Sequence, residues 1–210
     1  MRKQVRLFLG LCLFLAGLSE PGWAQVSITP QFNTALPVGD TREYGNPRTG
    51  FGLEVGYQLS KHWAVVAAYD RYRFELTAGP EEFNISSNDP IIAALLGLSN
   101  LLSLDMTADS WNGGLRFSVP LRSLTPYVGV EGSTNLITAQ GLGLTVSRRY
   151  WGVAPVVGLE VTIAPRWRLR ADTRLQTIFI KDDIPFVDEL VDETLMFVPL
   201  QVGVVYRIDW

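Results

Sequence analysis

Eight ionisable residues stand on polar faces that alternate with apolar ones: Glu54, Asp70, Arg116, Glu131, Glu160, Arg170, Asp172 and Arg174. Arg168 and Arg207 share those faces and bring the bases close to the acids in number. Charges of both signs in one narrow space have two uses. They can line a gated path for ions, or they can pair across the space and fill it. An uncompensated buried charge is strongly destabilising, so pairing is required either way. Near-balance favours the filled interior.

Catalysis has little to draw on. The single histidine, His62, sits beside Lys61 in a short turn, Ser60-Lys61-His62. A Ser–His–acid constellation needs a histidine oriented by an acid and placed against a serine. No HExxH, CxxC or phosphate-loop pattern occurs. No catalytic residue, cofactor or enzymatic activity is therefore expected. Asp182, Asp183, Asp188, Glu189, Asp192 and Glu193 are oxygen-rich, but they lack the spacing of a calcium loop. They are expected to be a solvated acidic loop, and no metal site is expected. Arg42, Arg48, Arg148 and Arg149 fall in long connections, where guanidinium forks could grip lipopolysaccharide phosphates.

Composition narrows the classes. The chain has 210 residues, 47% of them hydrophobic and 19% charged, with a formal net charge of −3. That excludes a disordered chain and argues against nucleic-acid binding driven by bulk positive charge. Arg2, Lys3 and Arg6 precede the apolar run Leu7 to Leu18, and Gly22-Trp23-Ala24 ends in a small-x-Ala site. These features predict a signal peptide over residues 1–24, cut between Ala24 and Gln25. The run is too short to span ~30 Å of hydrocarbon as a helix. Cys12 is the only cysteine and falls inside this segment.

Beyond Ala24 the chain alternates with period two, as strands do. From Met196 to Trp210 the even positions are all apolar or aromatic, while the odd ones include Gln201, Gly203, Arg207 and Asp209. Similar segments cover 26–36, 51–59, 63–76, 111–119, 126–132, 151–163 and 167–179, the third with an uncertain register. Eight strands make a barrel, either soluble with its apolar face inward or transmembrane with that face outward. The polar face decides. It carries the charges together with many glycines, and glycines make room in a narrow lumen. The apolar face ends in aromatics: Trp63, Tyr57, Trp167, Tyr206 and Trp210 toward one rim, Trp111, Trp151 and Phe179 toward the other. Turns after the second, fourth and sixth strands are short. The other connections, about 37–49, 77–109, 137–149 and 181–194, are long. This predicts an all-β, eight-stranded antiparallel up-and-down transmembrane barrel over residues 25–210, with long loops outside and short turns in the periplasm.

The chain resembles the small eight-stranded outer-membrane proteins of the OmpA-barrel and OmpX type. The resemblance rests on residues 1–24, the Gly50–Tyr57 strand, Pro126-Tyr127-Val128-Gly129-Val130-Glu131, and the closing Val204 to Trp210. It implies an outer-membrane location in a Gram-negative-type envelope. Tyr206, Ile208 and Trp210 would form the C-terminal signal read by the barrel assembly machinery. Outer-membrane lipid and lipopolysaccharide would surround a monomer, and a surface partner would meet the long loops. Fold alone does not give the activity. The expected role is structural or surface interaction with a plugged lumen. The alternative is a narrow channel for small or hydrophobic solutes, gated by the connection 77–109. An envelope-lipid-modifying enzyme is disfavoured by the position of His62. In that connection, Asn88-Asp89-Pro90 could start a short helix over 90–104 that lies on the membrane, covers the mouth, meets a partner or packs locally.

Overall fold

The computed structural model describes residues 25–38, 45–77, 103–141, 144–179 and 194–209. Residues 1–24 with Ala24, Arg42, most of the apolar stretch 90–104, the acidic run 182–193 and Trp210 lie outside them. The strands are β1 (Gln25–Pro37), β2 (Gly45–Gln58), β3 (Trp63–Thr77), β4 (Ser103–Ser118), β5 (Leu124–Gly141), β6 (Leu144–Ala164), β7 (Trp167–Arg174), β8 (Gln176–Phe179) and β9 (Thr194–Asp209). Each pairs antiparallel with its neighbour, and β1 pairs with β9 from Gln25↔Asp209 to Pro37↔Phe197. The sheet therefore closes on itself and leaves no edge around the ring, the condition for a sheet to survive in lipid.

β7 and β8 are one stave broken at Leu175. The register is unchanged across the break on both sides, Val156↔Arg174 and Val153↔Thr177 on β6, Thr173↔Leu200 and Gln176↔Phe197 on β9. Proline supplies the cause. Leu175 N–H donates to the Pro155 carbonyl at 3.1 Å, but Pro155 has no N–H to return, and Pro199, also without an N–H, stands in β9 next to the same point. The barrel thus has eight staves, as the sequence predicts. The pairings Ile28↔Val55↔Ala67↔Gly113↔Gly132↔Val153↔Thr177↔Met196 lead round the wall to Val38, ten residues beyond Ile28. Such a stagger requires the strands to tilt.

The alternation settles which face looks inward. Phe32, Trp111, Val130, Trp151 and Val202 are 59–74% exposed on the outside. Glu54, Asp70, Glu131 and Arg174 are at most 2% exposed within. A polar interior under an apolar surface inverts the soluble arrangement and suits lipid. β3, whose register the sequence left uncertain, turns Val66, Ala68, Asp70, Tyr72 and Phe74 inward and Arg71 and Arg73 outward.

The two ends differ. At one lie Gln25, Asp209 and the short turns, including Leu121–Leu124, where Leu121 and Leu124 exchange backbone hydrogen bonds of 2.7 Å and Arg122 adopts φ 43°. At the other, strands run past the aromatic rim, which corrects the expected loop boundaries. The connection placed at 137–149 is strand, with only residues 142–143 between β5 and β6. Ser103 and Leu104, expected at the end of a helix, begin β4. The rim aromatics among the described residues are as expected, while Trp210 lies outside them. Trp63 packs edge-on to Phe117 at 5.2 Å and Trp167 against Tyr206 at 4.8 Å, while Tyr69 meets Trp111 at 5.0 Å at the opposite rim.

Trp111 and Trp151 at that rim are expected to be quenched by lipids brominated close to the headgroup more than by lipids brominated at mid-chain. Single-tryptophan variants in vesicles check this, and quenching by aqueous acrylamide alone would contradict it.

Candidate functional site

The lumen charges meet in one line. Arg207 lies 3.6 Å from Glu160, and Glu160 is 2.8 Å from Arg170. Arg170 and Arg116 both hold Glu54, each at 2.5 Å. Arg116 also reaches Glu131 at 2.9 Å, Glu131 is 2.8 Å from Arg174, and Arg174 is 3.4 Å from Asp70. Base and acid alternate at every step, from the short-turn end to the barrel's middle. Arg168 adds a third cation to Glu160 at 3.2 Å, and Asp172 stands 3.9 Å from Arg174. All eight predicted lumen residues are therefore in the network, and Arg168 and Arg207 both join it.

Neutral side chains finish the work. The Tyr127 ring lies under two guanidiniums, Arg116 at 5.0 Å and Arg170 at 5.6 Å, and its hydroxyl donates to Asp172 at 2.9 Å. Cation–π contact suits a desolvated guanidinium. Asp70 accepts from Gln31 at 2.8 Å, Asn112 at 3.0 Å and Gln201 at 3.1 Å. Above it a second polar tier joins Ser110, Asn135, Ser133 and Gln176; Asn135 and Gln176 each donate to Ser133 Oγ at 2.8 Å. Then the interior turns apolar. Tyr72 and Phe74 pack edge-on to Phe197 at 5.0 and 5.2 Å, with Ile137, Tyr150, Ile178 and Leu195 buried in the same cluster.

Sequence reasoning missed both the amide tier and this apolar cap. The signal was present. Toward the long-connection end, Tyr72 and Phe74 turn inward while Arg71 and Arg73 turn outward on β3, and Leu195 and Phe197 turn inward beside Met196 and Val198 on β9, so the inward face is no longer the polar one there. The glycines, in contrast, do what was expected of them. A Cβ on Gly52 would strike the Asp70 carboxylate, one on Gly129 would come within 2.9 Å of Arg116 Cγ, and one on Gly158 would enter the Tyr127 ring.

The remaining candidates fall elsewhere. Arg48, Arg148 and Arg149 are exposed but belong to β2 and β6, which corrects their placement in loops. Tyr206 and Ile208 occupy outward positions on β9, and Gln25 opens β1. His62 sits in the β2–β3 turn, with Nδ1 2.9 Å from the Ser118 carbonyl and its ring stacked 5.6 Å from Phe117. It ties that turn to the end of β4.

Residues 8–207 match the family described as outer membrane protein beta-barrel domain. The chain belongs to this family. Solved structures agree on the fold. The outer membrane protein OprG of Pseudomonas aeruginosa shares 12% identity, with 90% of this chain and 98% of that one covered and a TM-score of 0.59. Neisserial surface protein A shares 15% identity over 89% and 97%, TM-score 0.52. Ail, the attachment invasion locus protein of Yersinia pestis, solved with the heparin analogue sucrose octasulfate, shares 16% over 90% and 100%, TM-score 0.52. No curated protein sequence matches the chain. Family membership places the protein in the outer membrane, and these relatives are small eight-stranded barrels of that membrane.

Two glycines make a matched test. Gly158→Val is expected to push Tyr127 off its site and cost about 1–3 kcal/mol, the usual penalty of overpacking. Gly132→Val, where an added Cβ meets nothing within 4 Å, is expected to change stability by under about 0.5 kcal/mol. Urea unfolding in lipid vesicles measures both.

Proposed function

We propose that this protein is a closed outer-membrane barrel whose role is structural or one of surface interaction, performed outside the lumen. The observation that carries the reading is the double closure of the interior. The alternating ion line occupies the middle, and the Tyr72–Phe74–Phe197 cluster lies above it. Ions would have to displace paired guanidiniums and then cross a largely apolar layer whose oxygens are limited to tyrosine hydroxyls. In this reading the short-turn end faces the periplasm, residues 1–24 are removed after Ala24, and Tyr206, Ile208 and Trp210 serve assembly. The strands that rise beyond the outer rim present Arg48, Arg148 and Arg149 at the surface.

The relatives support a surface role without fixing it. Ail is by name an attachment protein and was solved with a sulfated saccharide analogue. A comparable partner for this chain would meet the projecting strands and their connections. Arg48 stands directly opposite Arg73 across β2 and β3, and both are exposed. Exposed guanidinium forks are suited to bidentate contact with lipopolysaccharide phosphates.

Purified barrel, shown to be folded by its heat-dependent gel shift, is expected to leave a planar bilayer silent. Discrete, reproducible conductance steps would overturn the closed reading in favour of a narrow channel. Replacing Arg48, Arg148 and Arg149 together by alanine is expected to reduce co-purified lipopolysaccharide; an unchanged amount would remove that part of the proposal.

A further inference from the structure

Each of the three short turns carries one exposed cation. Lys61 stands between β2 and β3, Arg122 between β4 and β5, and Arg166 between β6 and β7. No acid shares those turns, which run from Leu59 to His62, from Val119 to Ser123 and over Pro165-Arg166. None of the three side chains forms an ion pair among the described residues. The turns occupy every second seam of the ring, and at the fourth such seam the strand ends Gln25 and Asp209 pair. Arg168 and Arg207 belong to the lumen network through Glu160 and are separate from this set.

A bond to the next stave fixes each turn in height. The His62 carbonyl accepts from Ser118 N–H at 2.8 Å, the Ser123 carbonyl from Thr162 N–H at 2.8 Å, and the Arg166 carbonyl from Arg207 N–H at 2.9 Å. The same turns adjoin the aromatic rim, since Trp63 closely follows Lys61 and Trp167 directly follows Arg166. Leu121, Leu124 and Ile163, all exposed, carry the apolar wall down to this level. Rim aromatics mark the depth of the lipid headgroups. At that depth a Lys or Arg stem lies along apolar surface while its charge reaches the headgroups. Arg122 adds a second sign. It holds φ 43° in a two-residue turn, a conformation that favours glycine or asparagine. An arginine kept against the local backbone preference points to a use for its charge.

We infer that the short-turn end is a cationic collar that selects anionic phospholipid headgroups in the leaflet it meets. Phosphate oxygens accept bidentate bonds from Arg122 and Arg166, and Lys61 offers a point charge. The three cations sit at one depth on different sides of the barrel, which fits several small headgroups spread around the wall. A polymer beyond the membrane would have to descend to the rim to meet them. Calling that leaflet the periplasmic one rests on the orientation proposed above; the chemistry of the collar does not.

The experiment places the whole folded barrel in vesicles whose two leaflets are alike, so the direction of insertion has no effect. Single-tryptophan variants keep either Trp63 at the collar or Trp151 at the opposite rim. Brominated phosphatidylglycerol and brominated phosphatidylcholine are each titrated against unbrominated phosphatidylcholine. Trp63 is expected to be quenched at a lower fraction of the anionic lipid than of the zwitterionic one. In K61Q/R122N/R166Q that preference is expected to fall at least about fivefold, the scale of one basic residue at an anionic surface, while the Trp151 curves stay where they were. High salt should remove the same preference with the cations intact. R122N alone should leave the urea midpoint unchanged or raise it, because asparagine tolerates a positive φ; a purely structural role for Arg122 would lower it. Equal quenching of Trp63 by the two lipids, or a preference that survives the triple variant, overturns the inference. Saturable binding of isolated peptidoglycan, lost in the triple variant, would then assign the cations to a polymer. If the triple variant fails to fold, the salt titration decides alone, and a preference insensitive to salt overturns the inference.

Discussion

An alternating line of eight charges, from Arg207 through Glu160, Arg170, Glu54, Arg116, Glu131 and Arg174 to Asp70, runs along the inside of this barrel. The other features depend on keeping it intact. A charge in so enclosed a space is tolerable only if paired and hydrogen-bonded. Each interior carboxylate of the line therefore meets two bases or, at Asp70, one base and several amides. Each of Arg116, Arg170 and Arg174 meets at least two acids. Moving Arg116 or Arg174 would weaken the pairing of two carboxylates at once, and this sharing is the basis for reading the lumen as a filled interior.

The wall is shaped around that line. Eight tilted staves enclose little more than side chains, so bulky charged groups fit only where the facing residue is small. Gly52 faces Asp70, Gly129 faces Arg116, and Gly158 gives way to Tyr127. Closure of β1 on β9 removes every edge around the ring, and the outward Val, Leu and aromatic residues meet lipid in place of water. Prolines are absorbed without loss of register: Pro155 and Pro199 interrupt one stave at Leu175, and β6 and β9 keep their alignment on both sides of it.

Much of this is legible in the sequence because a barrel in lipid writes its two faces as strict alternation. Strand count, the inward charges and the two aromatic rims all come from period two, and the structure agrees with each. The ends of the strands are harder to read. Beyond the outer rim neither face meets lipid, so Thr138, Ser147, Arg148 and Arg149 look like loop residues although they lie on β5 and β6. The apolar cap is hidden for a related reason. Phe197 faces inward between Met196 and Val198, so alternation loses its contrast on β9, and Tyr72 faces inward between Arg71 and Arg73, so on β3 the polar face is the outer one. The pairing inside the lumen cannot be read at all from one chain. Glu54 and Arg170 are 116 residues apart, and only the closed ring brings them together.

The central claim is that the charges act as one coupled unit. A double-mutant cycle on Arg174→Gln and Glu131→Gln, measured by urea unfolding in vesicles, tests it most directly. Each single change should cost about 3–5 kcal/mol by stranding a buried charge. The double change should cost less than the sum, with a coupling of about 1–3 kcal/mol. Single costs below about 1 kcal/mol that simply add would contradict it and show the line to be a set of independent, solvated pairs.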